Sequence, residues 1–327
     1  NTRKSSAILY RSNAQSRVIE EALIRGGLPY RIYGGQRFYE RLEIRCALAY
    51  LRLVIGRGDD PALERVINTP TRGIGSKTID DLRAIARDQG VSMWQAIVLT
   101  QQNSLLSTRA RSSLAGFAAL INELDSETLE LPIEEMVEHV IHRTGLIDFY
   151  KAEKGERGQA RVENLEELVS AAKTFRAEDD TLSPLQQFLD SAALDAGDTQ
   201  ADPYEDSVQM MTLHSAKGLE FPVVFIVGVE EGIFPHNRAL NDPVELEEER
   251  RLAYVGITRA KEQLVLSHAW SRSLYGSTQY NPPSRFLSEI PDELIQREGS
   301  VDSGADSERY SFRSHADRGY APQQRLN

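Results

Sequence analysis

Cysteine is all but absent from this 327-residue sequence: Cys46 stands alone. That excludes a disulfide framework and fits a reducing cytoplasm. Long hydrophobic runs are missing as well. The longest, Phe221 to Val229, is too short to cross a bilayer, and no signal peptide is expected. Basic residues are in the minority, 38 Lys and Arg against 49 Asp and Glu, for a net charge of −11. Such a balance argues against broad, nonspecific attraction to nucleic acid. The phosphate-binding pattern G-x-x-x-x-G-K-[ST] occurs nowhere in the chain. What remains is a soluble intracellular protein of roughly two domains, with 40% hydrophobic residues to build its cores.

Charge is unevenly spread. Residues 1–57 carry eleven Lys and Arg against four acids, whereas residues 178–206 carry nine acids and no basic residue. A local basic groove is therefore compatible with the acidic average, although solvated faces explain either bias equally well. The N-terminal stretch reads as strand, helix, strand: an apolar Ser6–Tyr10, a helix capped by Ser12 or Asn13 and stopped by Gly26-Gly27, then Tyr30–Tyr33. From about Phe38 to Leu194 the periodicity is helical almost throughout, as in Leu42–Ile55, Ile79–Arg87, Leu114–Leu124, Ile133–Ile141 and Val162–Thr174. Strand patterns return at Val208–Leu213, Val223–Val227 and Leu264–Leu266, with a helix at about Glu245–Val255 before the last. Neither flank alone holds enough strands for a stable sheet. The expected architecture is therefore one α/β domain with a parallel sheet (residues 1–33 plus 207–291), interrupted by an all-α insertion (residues 34–206). Residues 292–327, rich in Ser, Asp, Arg and Gln, read as a disordered tail.

Thr69 to Asp80, TPTRGIGSKTID, looks at first like a nucleotide-phosphate loop, but Ser76 separates Gly75 from Lys77 and the preceding Pro61–Ile67 reads as a helix. Two readings fit. One is an ordinary helix-to-helix turn. The other is a glycine hairpin leading into a helix capped by Ser76, whose free N–H groups grip a phosphate backbone without reading bases.

Two further segments carry chemistry. His214 to Pro222, HSAKGLEFP, leaves the carboxyl end of a strand, where ligands of open α/β sheets bind. Glu220 can accept from ribose hydroxyls and Lys217 can face a phosphate, although a polar connecting loop explains the composition too. Glu247 to Ala260, EEERRLAYVGITRA, is a helix that ends at Gly256 and presents Arg259, which can reach a transferring phosphoryl group. Arg250 and Arg251 read as partners of Glu247–Glu249.

With these residues the sequence resembles the UvrD/PcrA/Rep group of superfamily 1 DNA helicases. MTLHSAKGLEFP looks like motif V and EEERRLAYVGITRA like motif VI. AILYRSNAQSR resembles motif IV, YGGQRFYERLEIRCALAYLR the segment joining two domains, and PPSRFL the end of the motor domain, so the likeness spans about residues 1–291. It implies the second RecA-like motor domain (2A) with its inserted 2B domain. It also implies ATP-driven 3′→5′ unwinding of DNA in repair and replication. The N-terminal motor domain of the same protein would bring the P-loop and the Mg²⁺ ligands, so the chain alone is expected to lack ATPase activity and to hold no cofactor tightly. By position the resemblance assigns Arg259 as arginine finger and Glu220, Gly218 and Lys217 to the ATP site. It assigns Asn13, His214, His236 and Tyr275 to single-stranded DNA, and Gly73, Ile74, Gly75, Ser76, Lys77 and Thr78 to duplex DNA. No metal site is expected; the Glu230-Glu231 pair is read as a loop feature. Partners would be single-stranded and duplex DNA, the N-terminal motor domain and repair proteins, with no membrane. The competing reading is a DNA- or partner-binding regulatory module without an ATPase of its own.

Overall fold

A computed structural model describes residues 2–103, 105–197, 201, 205–274 and 277–299. The described chain falls into two compact units, Asn1–Glu289 and Ile290–Asn327. In the second, the described part holds a 3₁₀ turn at Asp292–Leu294, where a disordered tail was expected; residues 300–327 lie outside the described residues.

The first unit is built around a parallel sheet of β1 (Ser6–Tyr10), β2 (Tyr30–Ile32), β3 (Val208–Thr212), β4 (Phe221–Val227) and β5 (Ala260–Ser267). The order is β2-β3-β1-β4-β5. The N-terminal strands are therefore not neighbours: β3 lies between them, pairing Ile8 with Met210 on one side and Ile32 with Met210 on the other. Strands from before residue 33 and from after residue 207 complete one sheet. Alternation along each strand sends side chains to opposite faces. Ala7 and Leu9 pack with Met211, Val224, Ile226, Leu252 and Ala253 on one face. Tyr10 packs with Leu23, Tyr30, Ile32 and Met210 on the other. The first face is covered by α11 (Pro243–Ile257), the second by α1 (Ser16–Arg25). Helix α11 starts where Asp242 accepts the Val244 N–H and Pro243 occupies the first turn.

Gly256 lets α11 lie directly on the sheet: a Cβ there would come within 2.4 Å of Leu213 Cδ2 and 3.1 Å of Ile226 Cδ1. Both neighbours are buried. Gly256→Ala is expected to cost about 1–3 kcal/mol in urea unfolding through overpacking. A loss within experimental error would show that the helix has room to lift.

Between β2 and β3 every described element is helical: α2 (Leu42–Ile55), α3 (Asp60–Val66), α4 (Ser76–Gln89), α5 (Met93–Gln102), α6 (Thr108–Thr128), α7 (Ile133–Arg143), α8 (Leu146–Lys151), α9 (Glu156–Thr174) and α10 (Pro184–Gly197). These helices share one core, in which Ile44, Leu51, Leu63, Phe117, Ile121, Val140 and Leu168 are fully buried. It is separate from the two sheet-face clusters. Strands β6 (Arg272–Leu274) and β7 (Ser277–Gln279) form an antiparallel pair that the sequence pattern does not announce, and α12 (Arg285–Ser288) follows them.

Candidate functional site

The predicted residues separate into three places. The first is the carboxyl edge of the sheet. Asn13 follows β1, His214 follows β3 and His236 follows β4, and all three line a cleft of about 260 Å³ between the strand ends and α9. Arg11, Ser12, Thr212 and Arg238 line it from the same side, and Glu156, Arg157, Gln159, Ala160 and Glu163 of α9 complete its wall. Ser12 caps the short turn of Asn13, with the Gln15 side chain accepting the Ser12 N–H in return, which fixes the loop after β1. Desolvation in the cleft, assisted by Arg11, pushes the His214 pKa below its ordinary value, which favours the neutral imidazole. Tyr275, the fourth residue assigned to single-stranded DNA, lies outside the described residues.

Acidic side chains in this cleft were not anticipated. Glu163 accepts Ser12 Oγ–H at 2.5 Å and lies 3.2 Å from His236 Nε2. Burial alone would raise its pKa, but the hydrogen bonds from His236 and Ser12 outweigh burial and hold it below the usual carboxylate range. Glu249, expected to pair with its helix neighbours, instead takes a bidentate contact from Arg11 at 2.6–3.0 Å and the His236 backbone N–H at 3.0 Å. Arg250 pairs with Glu247 and Glu289, and Arg251 with Glu248. One turn beyond Glu163, Glu167 holds Arg17 of α1 at 2.6 Å with both side chains buried. Between them Asn164 receives Arg41 at 2.8 Å and donates to Glu43 at 2.6 Å. The pattern Glu163-Asn164-x-x-Glu167 is thus the face by which α9 seats on α1, the start of α2 and the loops after β1 and β4. In sequence it is indistinguishable from a solvated acidic stripe, because i, i+4 carboxylates carry no sign of their burial.

The second place is the opposite, amino edge. Parallel strands need a crossover, so the segment after β3 begins at the carboxyl edge with His214 and ends at the amino edge with Glu220. The argument from strand carboxyl ends therefore applies to His214 and not to Glu220. Arg259 precedes β5 at that same amino edge. Its Nε donates to Val255 O at 2.9 Å, Nη1 to Leu219 O at 2.9 Å and Nη2 to Thr258 Oγ1 at 3.0 Å. All these acceptors are neutral, and among the described residues no carboxylate compensates the guanidinium. Glu220, half-exposed, sits 3.3 Å from Lys261. Lys217 and Gly218 are exposed on the same segment, and Gly218 has φ +85°. The structure thus gathers Glu220 and Arg259 at one edge and Asn13, His214 and His236 at the other.

The third place is the hairpin before α4. Gly73, at φ +74°, makes the turn. Gly75, not Ser76, is the N-cap, and Ser76 opens the helix, with no side-chain cap. The N–H groups of Ser76, Lys77 and Thr78 find no partner among the described residues, as at any uncapped first turn. Ile74, assigned to duplex DNA by the resemblance, anchors the hairpin. Its side chain is buried in the helical core and its N–H is given to Asn68 Oδ1 at 3.2 Å. Arg72 is also occupied, donating to Pro70 O and Thr144 O at 2.9 Å and lying over the Tyr50 and Phe117 rings.

This layout can be set beside known proteins. A model of the UvrD-like helicase C-terminal domain matches residues 1–271. The chain belongs to that family. DNA helicase II of Escherichia coli (strain K12) is 56% identical over 292 residues, covering 89% of this chain and 41% of that protein. ATP-dependent DNA helicase PcrA of Bacillus subtilis is 47% identical over 300 residues, covering 89% and 40%. ATP-dependent DNA helicase UvrD1 of Mycobacterium tuberculosis is 46% identical over 306 residues, covering 88% and 39%. The chain therefore spans about two fifths of the length of these curated relatives. The sheet of this UvrD-like domain matches the expected α/β RecA-like class. Glu230 and Glu231 are each paired with an arginine, Arg272 and Arg285, at 2.7 Å. Among the described residues no group of three or more His, Cys, Asp and Glu side chains is placed to hold a metal ion, and no helix is long and apolar enough to cross a membrane.

Proposed function

We propose that this UvrD-like domain is the C-terminal half of an ATP-dependent 3′→5′ DNA helicase acting in repair and replication. In this reading the sheet's amino edge faces the nucleotide and its carboxyl edge the translocating strand. The observation that carries it is the separation of the two residue sets to opposite edges of one sheet. Glu220 would hold the ribose, while Lys217 and the Gly218 backbone would border the phosphates. Arg259, whose charge no acid among the described residues neutralises, would stabilise the γ-phosphoryl group as it transfers. The residues fit a nucleotide approached from one side only. The P-loop lysine and the Mg²⁺ ligands would come from the N-terminal motor domain, so the 327-residue chain by itself should not turn over ATP. Asn13, His214 and Tyr275 would hold single-stranded DNA with His236. Residues 34–206, with a core of their own, would form a separate body hinged near Gly34-Gly35 and Asp206-Ser207.

The hairpin of this helical block would contact duplex DNA through the N–H groups of Ser76, Lys77 and Thr78, with Gly73 and Gly75 permitting close approach. Gly75 tests this well. No atom lies within 4 Å of a Cβ added there, so the protein itself tolerates alanine at a capping cost of a few tenths of a kcal/mol up to about 1 kcal/mol. A phosphate seated on the N–H groups would not tolerate it. Gly75→Ala is expected to weaken binding to duplex-containing junctions about two- to tenfold, the loss of one or two hydrogen bonds. The loss should be uniform across sequences, because backbone contacts carry no base information, and oligothymidylate binding should not change. Unaltered junction affinity in anisotropy titrations would return the hairpin to an ordinary turn.

A further inference from the structure

We propose that Glu163 is a built-in competitor of the DNA strand: its carboxylate stands where a strand phosphate would, and the strand binds as this carboxylate leaves. The inference rests on the assignment of Asn13, His214 and His236 to single-stranded DNA and identifies what regulates that site.

The argument starts from donors. Ser12 has one O–H, and it is spent on Glu163 Oε2 at 2.5 Å. The His236 ring accepts the Arg238 N–H at Nδ1, 3.4 Å away, so its hydrogen sits on Nε2, which faces Glu163 Oε1 at 3.2 Å. The Gln159 amide adds a third donor to Oε1 at 3.3 Å. One anionic group thus collects the hydroxyl and the imidazole N–H that line the cleft, as two non-bridging phosphate oxygens would. The arginines of the cleft already face carboxylates. Glu249 takes Arg11, Arg238 lies 3.6 Å from Glu156, and Arg157 lies 3.9 Å from Glu153. A phosphate entering beside an unmoved Glu163 would meet a like charge and no spare donor from Ser12 or His236.

Glu163 is not what fastens α9. Glu167 with Arg17, and Asn164 with Arg41 and Glu43, hold the same helix face independently. The carboxylate can therefore be neutralised while the helix stays seated. Glu163→Gln keeps the shape and an acceptor for Ser12 but removes the charge and part of the hold on His236.

The test is fluorescence anisotropy with a fluorescein-labelled oligothymidylate and the full chain, at one salt concentration. Glu163→Gln is expected to bind about three- to tenfold more tightly than the parent, the size of effect of one like charge about 4 Å away in a water-filled cleft. Glu163→Ala should bind at least as tightly as the parent. In parallel, carbodiimide modification of the Glu163 carboxylate in the parent, read by mass spectrometry, should increase when the oligonucleotide is bound, a readout that also serves if a variant folds poorly. His214→Ala and Asn13→Ala separate the two failures. If neither weakens oligothymidylate binding, the strand site itself is misassigned. If they weaken it while Glu163→Gln binds equally or less tightly and modification of Glu163 is unchanged or lower, then Glu163 positions the site rather than competing for it, and the inference is overturned.

Discussion

Replacing Arg259 with alanine is expected to lower ATP turnover at least about a thousandfold in a protein that carries both halves of the nucleotide site if it is the arginine finger proposed above, since such fingers contribute about 10³–10⁵ in rate. In the described state the guanidinium rests on three neutral oxygens, of Val255, Leu219 and Thr258. Exchanging them for a γ-phosphate loses hydrogen bonds of ordinary strength and gains charge-assisted ones. The contact to Leu219 O also braces the segment that ends at Glu220, so a loss of rate has two possible origins. Arg259→Lys separates them, because lysine keeps the charge but cannot span the same three acceptors. If the charge matters most, the lysine variant should retain more turnover than the alanine variant while both lose the brace. Steady-state hydrolysis with saturating single-stranded DNA measures the effect, and oligothymidylate affinity should stay within about threefold of the parent. A loss below tenfold would remove Arg259 from the reaction.

The second large effect is on stability. Arg17→Met leaves Glu167 buried at 6% exposure without its cation, and breaking a buried pair from one side costs about 3–5 kcal/mol. Burial already pushes the Glu167 carboxyl above the usual range, with Arg17 pulling it back only in part. Without Arg17 it should rise further. A carboxyl whose pKa is higher in the folded state binds its proton more tightly there than in the unfolded chain. The penalty is therefore small below the unfolded carboxylate range and grows as pH rises through the folded value. Urea unfolding of Arg17→Met should show most of its loss at pH 7–8 and recover towards pH 4–5, relative to the parent at each pH. Arg17→Met with Glu167→Leu should restore most of the stability at every pH. A deficit that does not change with pH would mean that water or another cation reaches Glu167.

How much of this was legible beforehand depended on the range of the interaction. Helix α2 was read at its observed limits, Leu42–Ile55, because its many buried apolar side chains repeat with helical spacing. Gly26 and Gly27 end α1 as expected, Gly27 at φ +62°. Pairings between distant segments were not legible. Nothing local announces that β3 inserts between β1 and β2, nor that β6 and β7 pair. Charged side chains were the least readable. Glu163, Glu167 and Arg17 have the spacing of exposed helix charges yet lie in a buried contact between segments 150 residues apart. Ile74, read as part of a loop gripping a ligand, is drawn inward because a lone isoleucine in a turn gains more by joining the helical core. The residues proposed for the site sit at strand ends because motif order fixes where loops emerge; the acids facing them were not anticipated because they come from a helix elsewhere in the chain.

The crossover from β3 to β4 ties the two edges together. Its first residue after the buried Leu213 is His214, its last is Glu220, and Ala216 between them is fully buried against the sheet. Seven residues pinned at the middle form a strap with little slack. If one end carries the DNA strand and the other the nucleotide, the two ligands share a single thermodynamic cycle. Whatever factor a nucleotide imposes on strand affinity through this strap, the strand must impose on nucleotide affinity in equal measure. Loosening the strap at Ala216 would then shrink both factors together, leaving each ligand bound but deaf to the other.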